Sequence, residues 1–226
     1  MITVILTCWK RFKHFEDIIK QWLNEDEVDE IIIWDNSGTY KLPILNTDKK
    51  IILLNCSENL GASVRYSLAG IAKNEILMFA DDDVQIFKGF CKDLLNFYQE
   101  DRLIGIHGRN FKGSFESGFN NEVLSYQISE AQNVDFVVGF LMLLNRKYLL
   151  GINYHEFPKY CCEFRLQSEW KIRNYGIKTI VIPTLKWQNY PEQYDEFALA
   201  NNPDAIKEKE FIYKNYYLKG VMIENG

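Results

Sequence analysis

The sequence contains few cysteines, and their spacing matches neither a zinc site nor a disulfide framework. Five cysteines among 226 residues are too few and too irregular for such a framework, and no Cys-x-x-Cys pair occurs. Cys8, Cys56 and Cys91 lie in or beside apolar runs, which is typical of reduced cysteines in a protein core. These features favour a reducing compartment, and we expect a cytoplasmic protein.

Long apolar runs and long basic runs are also missing. No run approaches the roughly 18 apolar residues that a membrane span needs, and the apolar run from Ile2 to Trp9 is too short for a signal peptide. The formal net charge is −5, which argues against nucleic acid as the main partner. Because no repeat, linker or low-complexity segment interrupts the chain, we expect one domain over residues 1–226, without a transmembrane segment.

Short apolar strands alternate with amphipathic helices through the first half of the chain. Strands are predicted at Ile2–Thr7, Ile31–Trp34, Ile51–Leu54 and Ile76–Ala80, with helical spacing between them. The second helix is expected to open at Asn59, and a further helix is expected over about 87–98, after the fourth strand. This alternation predicts an α/β fold with right-handed βαβ units and a mostly parallel sheet. Ligands of such sheets bind beyond the carboxyl ends of the strands. The residues at those ends are Thr7, Asp35, Asn55 and Asp81.

The second half has a different pattern. Residues 104–107 suggest a fifth strand, and 107–133 form a long Gly-, Ser- and Asn-rich stretch that predicts a functional or mobile loop. Residues 135–144 predict a long strand that Gly139 bends. A helix over 163–175 that stops at Gly176, a strand over 178–182 and a helix over 203–217 complete the expectation.

Three consecutive carboxylates, Asp81, Asp82 and Asp83, follow the fourth strand. Side chains alternate along an extended chain, so Asp81 and Asp83 are expected on one side and Asp82 on the other. Two carboxylates about 4 Å apart repel by roughly 4 kcal/mol at an effective dielectric constant near 20. A divalent cation such as Mg²⁺ or Mn²⁺ would neutralise them. The alternative is a solvated turn with an acidic tip.

Four short motifs occur in a recognisable order at the strand ends. They are Thr7-Cys-Trp-Lys-Arg11, Asp35-Asn-Ser-Gly38, Asn59-Leu-Gly-Ala-Ser-Val-Arg65 and Phe79-Ala-Asp-Asp-Asp83. Over residues 1–190 their order and spacing resemble the GT-A class of glycosyltransferases, family 2 in particular. The resemblance implies a central, mostly parallel mixed sheet flanked by helices, with a Rossmann-like nucleotide-binding N-terminal half.

Two later stretches are similar to the exostosin-like branch of that class. Residues 134–148 resemble its acceptor-side strand, and Cys162-Glu-Phe-Arg-Leu-Gln resembles the start of its helix near the reaction centre. The match carries over to Glu163, but Phe164 stands where the branch has a second acid. Trp187-Gln-Asn189 stands where many members have a metal-binding histidine.

The resemblance also implies roles and partners. It implies a nucleotide-sugar donor, such as a UDP-sugar, a glycan or glycoconjugate acceptor, and Mn²⁺ or Mg²⁺ as cofactor. Residues 1–107 would bind the donor, 108–190 would face the acceptor, and 191–226 would form a helical tail. The implied donor-binding residues are Thr7, Arg11, Asp35, Asn36, Arg65, Asp81 and Asp82; the metal ligands are Asp81 and Asp83; and the catalytic candidates are Glu163 and, after it, Asp135.

Several of these residues have a second interpretation. Asp35 would equally cap backbone N–H groups of its turn, Arg11 would be a solvated surface residue, and Glu163 would be an ordinary first-turn acid. As a catalytic group, Glu163 would be a general base in an inverting enzyme or would stabilise the cation in a retaining one. His107 and His155 lack metal-ligand spacing and are expected to be structural. The aromatic residues between 187 and 217 would either stack on sugar rings or close the core.

Two other functions compete with sugar transfer. A nucleotidyltransferase usually has a Gly-rich basic loop after the first strand, and Thr7-Cys-Trp-Lys-Arg-Phe12 contains no glycine. A non-catalytic nucleotide-sugar-binding module would explain Phe164 and the absent histidine.

Overall fold

A computed structural model of the chain describes residues 1–43, 47–111, 121–150, 162–173, 175–190 and 203–219. Its main element is an eight-stranded sheet in the order β3-β2-β1-β4-β11-β6-β12-β9. These strands are β1 (Ile2–Cys8), β2 (Val28–Asp35), β3 (Lys50–Asn55), β4 (Ile76–Asp81), β6 (Arg102–Gly105), β9 (Gln132–Asn133), β11 (Leu141–Asn145) and β12 (Lys178–Val181). Two small sheets join β10 (Phe136–Val137), β7 (His107–Arg109) and β8 (Glu122–Leu124), and β13 (Trp187–Asn189) and β5 (Val84–Ile86).

The large sheet is parallel at one end and mixed at the other. Strands β3, β2, β1 and β4 run parallel, whereas β11 lies antiparallel between β4 and β6. Strand β12 is parallel to β6, and β9 is antiparallel to β12. Strands from both halves of the chain therefore share one sheet, and the expected mixed α/β architecture is confirmed.

The helices lie where apolar periodicity places them, but several are shorter than expected. They are α1 (Phe15–Leu23), α2 (Val64–Ser67) with a 3₁₀ turn at Leu68–Gly70, α3 (Phe90–Leu95), α4 (Cys162–Ile172), and α5 (Pro203–Ile212) with a π-helical turn at Tyr213–Tyr217. The second helix was expected to open at Asn59, but Asn59 Oδ1 accepts a hydrogen bond from the Gly61 N–H at 2.8 Å. This turn, with Gly61 at φ +82°, delays the helix.

Helix α3 begins against a buried acid. Glu25 is 1% exposed, and its two carboxylate oxygens accept the N–H groups of Gly89 at 2.6 Å and Cys91 at 2.7 Å. Gly89 has a φ of +85°, which a helical residue does not adopt, so the helix starts after it rather than at Phe87.

The two faces of the sheet bury two separate apolar cores. Along β1, Val4 and Leu6 pack with residues of α1 and α3, whereas Ile5 packs on the other face with Tyr66 and Trp170. The period of two in a strand produces this division, and it explains why β1 reads as a continuous apolar run.

A third apolar cluster joins α4 to the C-terminal helix. Phe164 and Tyr213 are 1% and 5% exposed, and the ring of Phe111 stacks on Phe164 with centroids 5.5 Å apart. Tyr217 packs on the same group. Phe164 therefore has a packing role in a position where the resemblance has an acid.

The segment after β6 is more structured than the sequence predicts. The expected strand over 104–107 is divided between β6 and β7, and the expected loop over 107–133 contains β7, β8 and β9. These strands have two or three residues, too few for a periodic signal. Residues 112–120 of the predicted loop lie outside the described residues.

The strand predicted over 135–144 is in fact two strands. β10 and β11 belong to different sheets, and a turn at residues 138–140 separates them at Gly139. Leu141 pairs with Ala80 in the antiparallel register, so this turn lies beside the end of β4. The structure thus confirms the bend at Gly139 and shows that it also changes sheets.

Strand register brings the expected polar residues to one edge. Thr7 pairs with Asp81, Cys8 with Asp35, and Asp35 with Asn55. Across the described part of the chain, no helix has the length and apolarity needed to span a bilayer.

Candidate active site

The turn at Gly139 is the point where the two halves of the site meet. A Cβ atom on Gly139 would lie 2.9 Å from Glu163 Cγ and 3.2 Å from Arg65 Nη2. The backbone N–H of Asp81 donates to the carbonyl of Phe140 at 3.1 Å. Because position 139 carries no side chain, Glu163 of α4 and Arg65 of α2 approach the end of β4 from the same side.

Arg65 is buried, and Asp81 is its anionic partner. The Arg65 side chain is 4% exposed and donates through Nη1 to Asp81 Oδ1, whereas the Asp81 side chain is 37% exposed. A buried guanidinium has few ways to lose its charge, so it needs an anion close by. This pair therefore fixes one positive charge at the sheet edge and leaves part of the Asp81 carboxylate open to a ligand.

Arg11 holds the other two carboxylates. Its Nη1 lies 3.3 Å from Asp82 Oδ1 and 2.6 Å from Asp83 Oδ2, and all three side chains are 10–13% exposed. Asp82 also accepts the Trp9 N–H at 3.1 Å. The alternation predicted for the three acids is wrong, because β4 ends at Asp81 and the two following residues form a turn. The turn brings Asp82 to the same guanidinium as Asp83.

The ionised form of Asp82 is destabilised by its surroundings. Burial, followed by the adjacent Asp83 carboxylate, raises the pKa of Asp82 from 3.8 to about 8, although Arg11 opposes the shift. A further cation would lower the free energy of the ionised pair.

Asp35 is held inside its own turn. It is 0% exposed, and its carboxylate accepts the Ser37 N–H at 2.8 Å, the Ser37 hydroxyl at 2.7 Å and the Tyr40 N–H at 2.7 Å. This is the capping role that the turn sequence offered as the alternative. Direct contact of Asp35 with a ligand would require this turn to open.

Asn36 connects two loops at the same edge. Its Oδ1 accepts the Trp34 Nε1–H at 2.9 Å and the Leu60 N–H at 3.1 Å, and its Nδ2 donates to the Gly61 carbonyl at 3.1 Å. Asn36 is 4% exposed, so in this arrangement it positions the loop that precedes Arg65.

The loop after β1 offers a hydroxyl and an unusual backbone conformation. Thr7 Oγ1 is buried and has no hydrogen-bond partner within the described residues. Lys10 has a φ of +67°, the left-handed region that non-glycine residues rarely adopt. Strained backbone of this kind recurs in ligand-binding loops.

Glu163 lies in the first turn of α4, and a neighbouring amide fixes the position of that helix. Gln167 is 3% exposed; its Oε1 accepts the Val137 N–H at 2.9 Å, and its Nε2 donates to the Val137 carbonyl at 2.8 Å. Gln167 lies in the Cys162-Glu-Phe-Arg-Leu-Gln stretch, but only its tertiary contact with β10 reveals a role for it.

Asp135 has different surroundings. Its Oδ2 accepts the Phe111 N–H at 2.7 Å, and its charge contributes, after burial, to raising the pKa of Tyr213. These contacts belong to the aromatic cluster around Phe164. The structure therefore does not show Asp135 with Glu163 and Arg65.

His107 pairs with Glu122 rather than with the aspartates of the candidate site. Burial, followed by Arg109, lowers the pKa of His107 to about 4, and its Nε2 lies 3.4 Å from Glu122. His107 is thus a neutral core residue at physiological pH, and its expected structural role is consistent with this. His155 lies outside the described residues.

The carboxylate oxygens at this edge could supply some, but not all, of the ligands of a divalent cation. Asp81 and Asp83 supply carboxylate oxygens, which Mg²⁺ and Mn²⁺ prefer. Within the described residues, no three His, Cys, Asp or Glu side chains form a ready-made metal site. Asn189 pairs with Val84, the residue after Asp83. The Trp187–Asn189 segment, where many family members have a metal-binding histidine, therefore does lie beside the three aspartates. Further ligands would have to be phosphate oxygens and water.

A comparison with protein-family models identifies the chain. Residues 3–167 match the model described as "Glycosyl transferase family 2". The chain belongs to glycosyltransferase family 2. The match covers the four strand-end motifs, the Gly139 turn and the start of α4, so every residue that meets at the Gly139 turn lies within the family 2 region.

A solved structure shows the same architecture. This family 2 chain resembles the crystal structure of S. aureus TarS 1-349 in complex with UDP-GlcNAc, with a TM-score of 0.64 and 15% sequence identity. The similarity covers 98% of this chain and 68% of the TarS chain. At this identity the likeness shows the fold, which is GT-A. No curated protein matches the sequence.

Proposed function

We propose that this family 2 protein transfers a sugar from a UDP-sugar to a hydroxyl group of a glycan or glycoconjugate. The observation that supports this most directly is the meeting of Asp81, Arg65 and Glu163 at the Gly139 turn. An exposed acid, a buried cation and a second acid at the carboxyl edge of a parallel sheet suit a reaction in which charge separates. The neighbour's bound UDP-GlcNAc supports a UDP-sugar as the donor class.

Different residues of the chain would have different roles in binding the donor. Arg65 would stabilise the negative charge that develops on the leaving diphosphate, aided by Arg11 once a ligand displaces it from Asp82 and Asp83. Thr7 Oγ1 would donate a hydrogen bond to the nucleotide portion, since it lacks a protein partner among the described residues. Asp35 and Asn36 would shape the nucleotide loops.

Glu163 would accept the proton of the acceptor hydroxyl if the configuration inverts. If the configuration is retained, the same carboxylate would stabilise the positive anomeric carbon. Asp135 is the weaker candidate for this role, because its carboxylate caps Phe111. Asp81 and Asp83 would hold Mn²⁺ or Mg²⁺, which when bound supplies positive charge to the diphosphate oxygens. Residues 1–107 would then form the donor half and 108–190 the acceptor half.

Calorimetric titration with UDP, in the presence and absence of Mn²⁺, tests donor binding, and release of UDP from UDP-sugars tests turnover. We expect UDP to bind with Mn²⁺, Asp83→Asn to weaken this binding, and Glu163→Gln to lower turnover by about 10²–10⁴-fold while UDP still binds. Asp101→Asn is a matched surface control, since the Asp101 side chain is 42% exposed and paired with Lys178.

Three outcomes would contradict the proposal. A folded protein that binds no UDP excludes a UDP-sugar donor. Release of pyrophosphate from UTP and a sugar phosphate indicates a nucleotidyltransferase. Turnover that is unchanged in both Asp83→Asn and Glu163→Gln removes the assigned roles and favours the non-catalytic alternative.

A further inference from the structure

Three aromatic rings form a row that starts at the candidate active site. The rings of Phe140 and Trp187 have centroids 5.6 Å apart, and those of Trp187 and Tyr126 have centroids 6.1 Å apart. We call Phe140, Trp187 and Tyr126 the aromatic row. The Tyr126 side chain is 53% exposed, whereas Phe140 and Trp187 are partly exposed.

The row is continuous with the reaction centre through one two-residue turn. Gly139 lies against the side chains of Glu163 and Arg65, and the next residue, Phe140, is the first ring of the row. The Phe140 carbonyl also accepts the Asp81 N–H at 3.1 Å. A molecule lying along the row would therefore reach the acids at one of its ends.

The central ring is held in place from behind. Trp187 Nε1 donates to Ser125 Oγ at 2.6 Å, and Ser125 Oγ donates to the Thr184 carbonyl at 3.1 Å. Ser125 is 1% exposed, so this chain of hydrogen bonds is itself buried. Because the indole N–H is already satisfied, the exposed part of Trp187 offers a ligand an apolar ring face. A fixed ring loses little conformational entropy when a ligand binds.

We propose that the aromatic row is the acceptor subsite and that the acceptor is a saccharide. A pyranose ring has a C–H face that packs on an aromatic ring and hydroxyl groups at its rim. The rim requires neutral hydrogen-bonding groups, and the phenolic hydroxyl of the exposed Tyr126 is such a group within the row. Sites of this kind combine aromatic walls with a few placed polar groups.

This inference rests on the proposed function, which requires an acceptor hydroxyl near Glu163. It specifies that the protein binds the saccharide part of that acceptor, and it names the residues that would bind it. An acceptor hydroxyl on an amino acid or a lipid would not need aromatic rings beside the acids. If the acceptor is of that kind, the test will show no binding of disaccharides.

The test compares Trp187→Phe with Trp187→Leu. Both variants lose the hydrogen bond to Ser125, but only phenylalanine keeps an aromatic face. Saturation-transfer NMR and titration with chitobiose, cellobiose and lactose, in the presence of UDP and Mn²⁺, measure saccharide binding. We expect Trp187→Leu to weaken binding of the preferred disaccharide about tenfold, Trp187→Phe to retain most of it, and Tyr126→Ala to have an intermediate effect.

Tyr175→Ala is the matched control, because Tyr175 is a 40% exposed aromatic residue after α4 with no place in the row. Binding of UDP and slow hydrolysis of the donor by water are measured on every variant. If UDP does not bind the wild-type protein, the proposed function fails. If UDP binds and the donor is hydrolysed, but no disaccharide binds or Trp187→Leu binds as tightly as the wild type, the saccharide subsite alone is overturned.

Discussion

At the scale of single residues, neighbouring acids in the candidate site have different environments. Asp35 is fully enclosed by hydrogen bonds of its own turn, the Asp81 side chain is 37% exposed beside a buried guanidinium, and the Asp82 side chain is 10% exposed with a raised pKa. The sequence shows only that each is an aspartate at a strand end. Which of them is open to a ligand depends on the turn that follows each strand.

Gly139 provides a sharp test at this scale. A Cβ atom in Gly139→Ala would displace Glu163 and Arg65 by a few tenths of an ångström, because it would lie 2.9 Å from Glu163 Cγ. Since even a small misplacement of reacting groups is costly, we expect turnover to fall by about tenfold with little change in stability. Steady-state kinetics and thermal unfolding measure the two effects.

Gly70→Ala is the control for that substitution. Neither glycine has a positive φ, and a Cβ atom on Gly70 would meet nothing within 4 Å. We expect wild-type turnover and unchanged or slightly higher stability. Equal activity of the two variants would show that Glu163 and Arg65 need not stay where Gly139 allows them.

His107 predicts a pH dependence of folding. Burial lowers its pKa from 6.5 to about 4, so the unfolded chain takes up the proton at a higher pH than the folded protein. The stability from the neutral imidazole is complete above pH 6.5 and is lost as the pH falls towards 4. Between pH 7.5 and 4.5 we expect the wild type to lose about 2–3 kcal/mol through this group.

The comparison is made with His107→Gln, which does not titrate. Urea unfolding of both proteins at several pH values measures the difference between their free energies of unfolding. That difference should shrink by about 2–3 kcal/mol over the range. A constant difference would mean that His107 is protonated in the folded protein at the same pH as in the unfolded chain.

At the scale of helices and strands, periodicity located most of the elements but not their ends. Helix α2 has four residues because the Asn59–Gly61 turn comes first, and the strand expected over 135–144 divides at Gly139. Hydrophobic pattern reports burial, and both β10 and β11 are buried, so it cannot show that they belong to different sheets. The three short strands β7, β8 and β9 have no pattern to detect.

Gln167 is the link between two such elements. In Gln167→Leu, the N–H and carbonyl of Val137 lose their partners in a buried position, which we expect to cost about 2–3 kcal/mol of stability. Because α4 carries Glu163, turnover should fall by about tenfold, whereas UDP affinity should stay within about twofold, since α4 belongs to the half of the chain that we propose faces the acceptor. Urea unfolding, kinetics and calorimetry separate these quantities.

Ser168→Ala serves as the control one residue away. Ser168 is also buried, but its hydroxyl bonds to the Phe164 carbonyl within α4 itself. We expect a change in stability of less than about 1 kcal/mol and normal turnover. If Gln167→Leu kept full turnover, the contact with β10 would not position Glu163.

At the scale of the whole molecule, the first four parallel strands supply the edge that carries Thr7, Asp35, Asn55 and Asp81, and the second half brings the Gly139 turn and α4 to it. The alternation of strands and helices predicted a mostly parallel central sheet, and the resemblance to GT-A glycosyltransferases implied its mixed character. The insertion of β11 between β4 and β6 could not, because that strand order depends on contacts between residues far apart in the chain.

Ligand binding should therefore stabilise the molecule as a whole. At 100 times its dissociation constant, a ligand that binds only the folded state adds about 2.7 kcal/mol. For a chain of this size we expect UDP with Mn²⁺ to raise the unfolding temperature by roughly 5–10 °C. UDP alone should give a smaller shift, because Asp81 and Asp83 would retain their negative charge near the diphosphate.

Thermal unfolding with UDP, Mn²⁺, both together, and EDTA added to the pair measures this coupling. Asp83→Asn should lose most of the Mn²⁺-dependent part of the shift and keep the part due to UDP alone. An equal shift by UDP in Mn²⁺ and in EDTA would exclude the metal from donor binding.

The α/β class, the polar residues at the strand ends and the resemblance to glycosyltransferases can be inferred from the sequence, because periodicity and short motifs are local properties. Glu163 and Gly139 are also notable in the sequence. The meeting of Arg65 and Glu163 over Gly139, the sharing of Arg11 by Asp82 and Asp83, and the enclosure of Asp35 are visible only in the folded protein. Such pairings depend on how buried charges find partners when distant segments pack, and no local pattern in the chain specifies them.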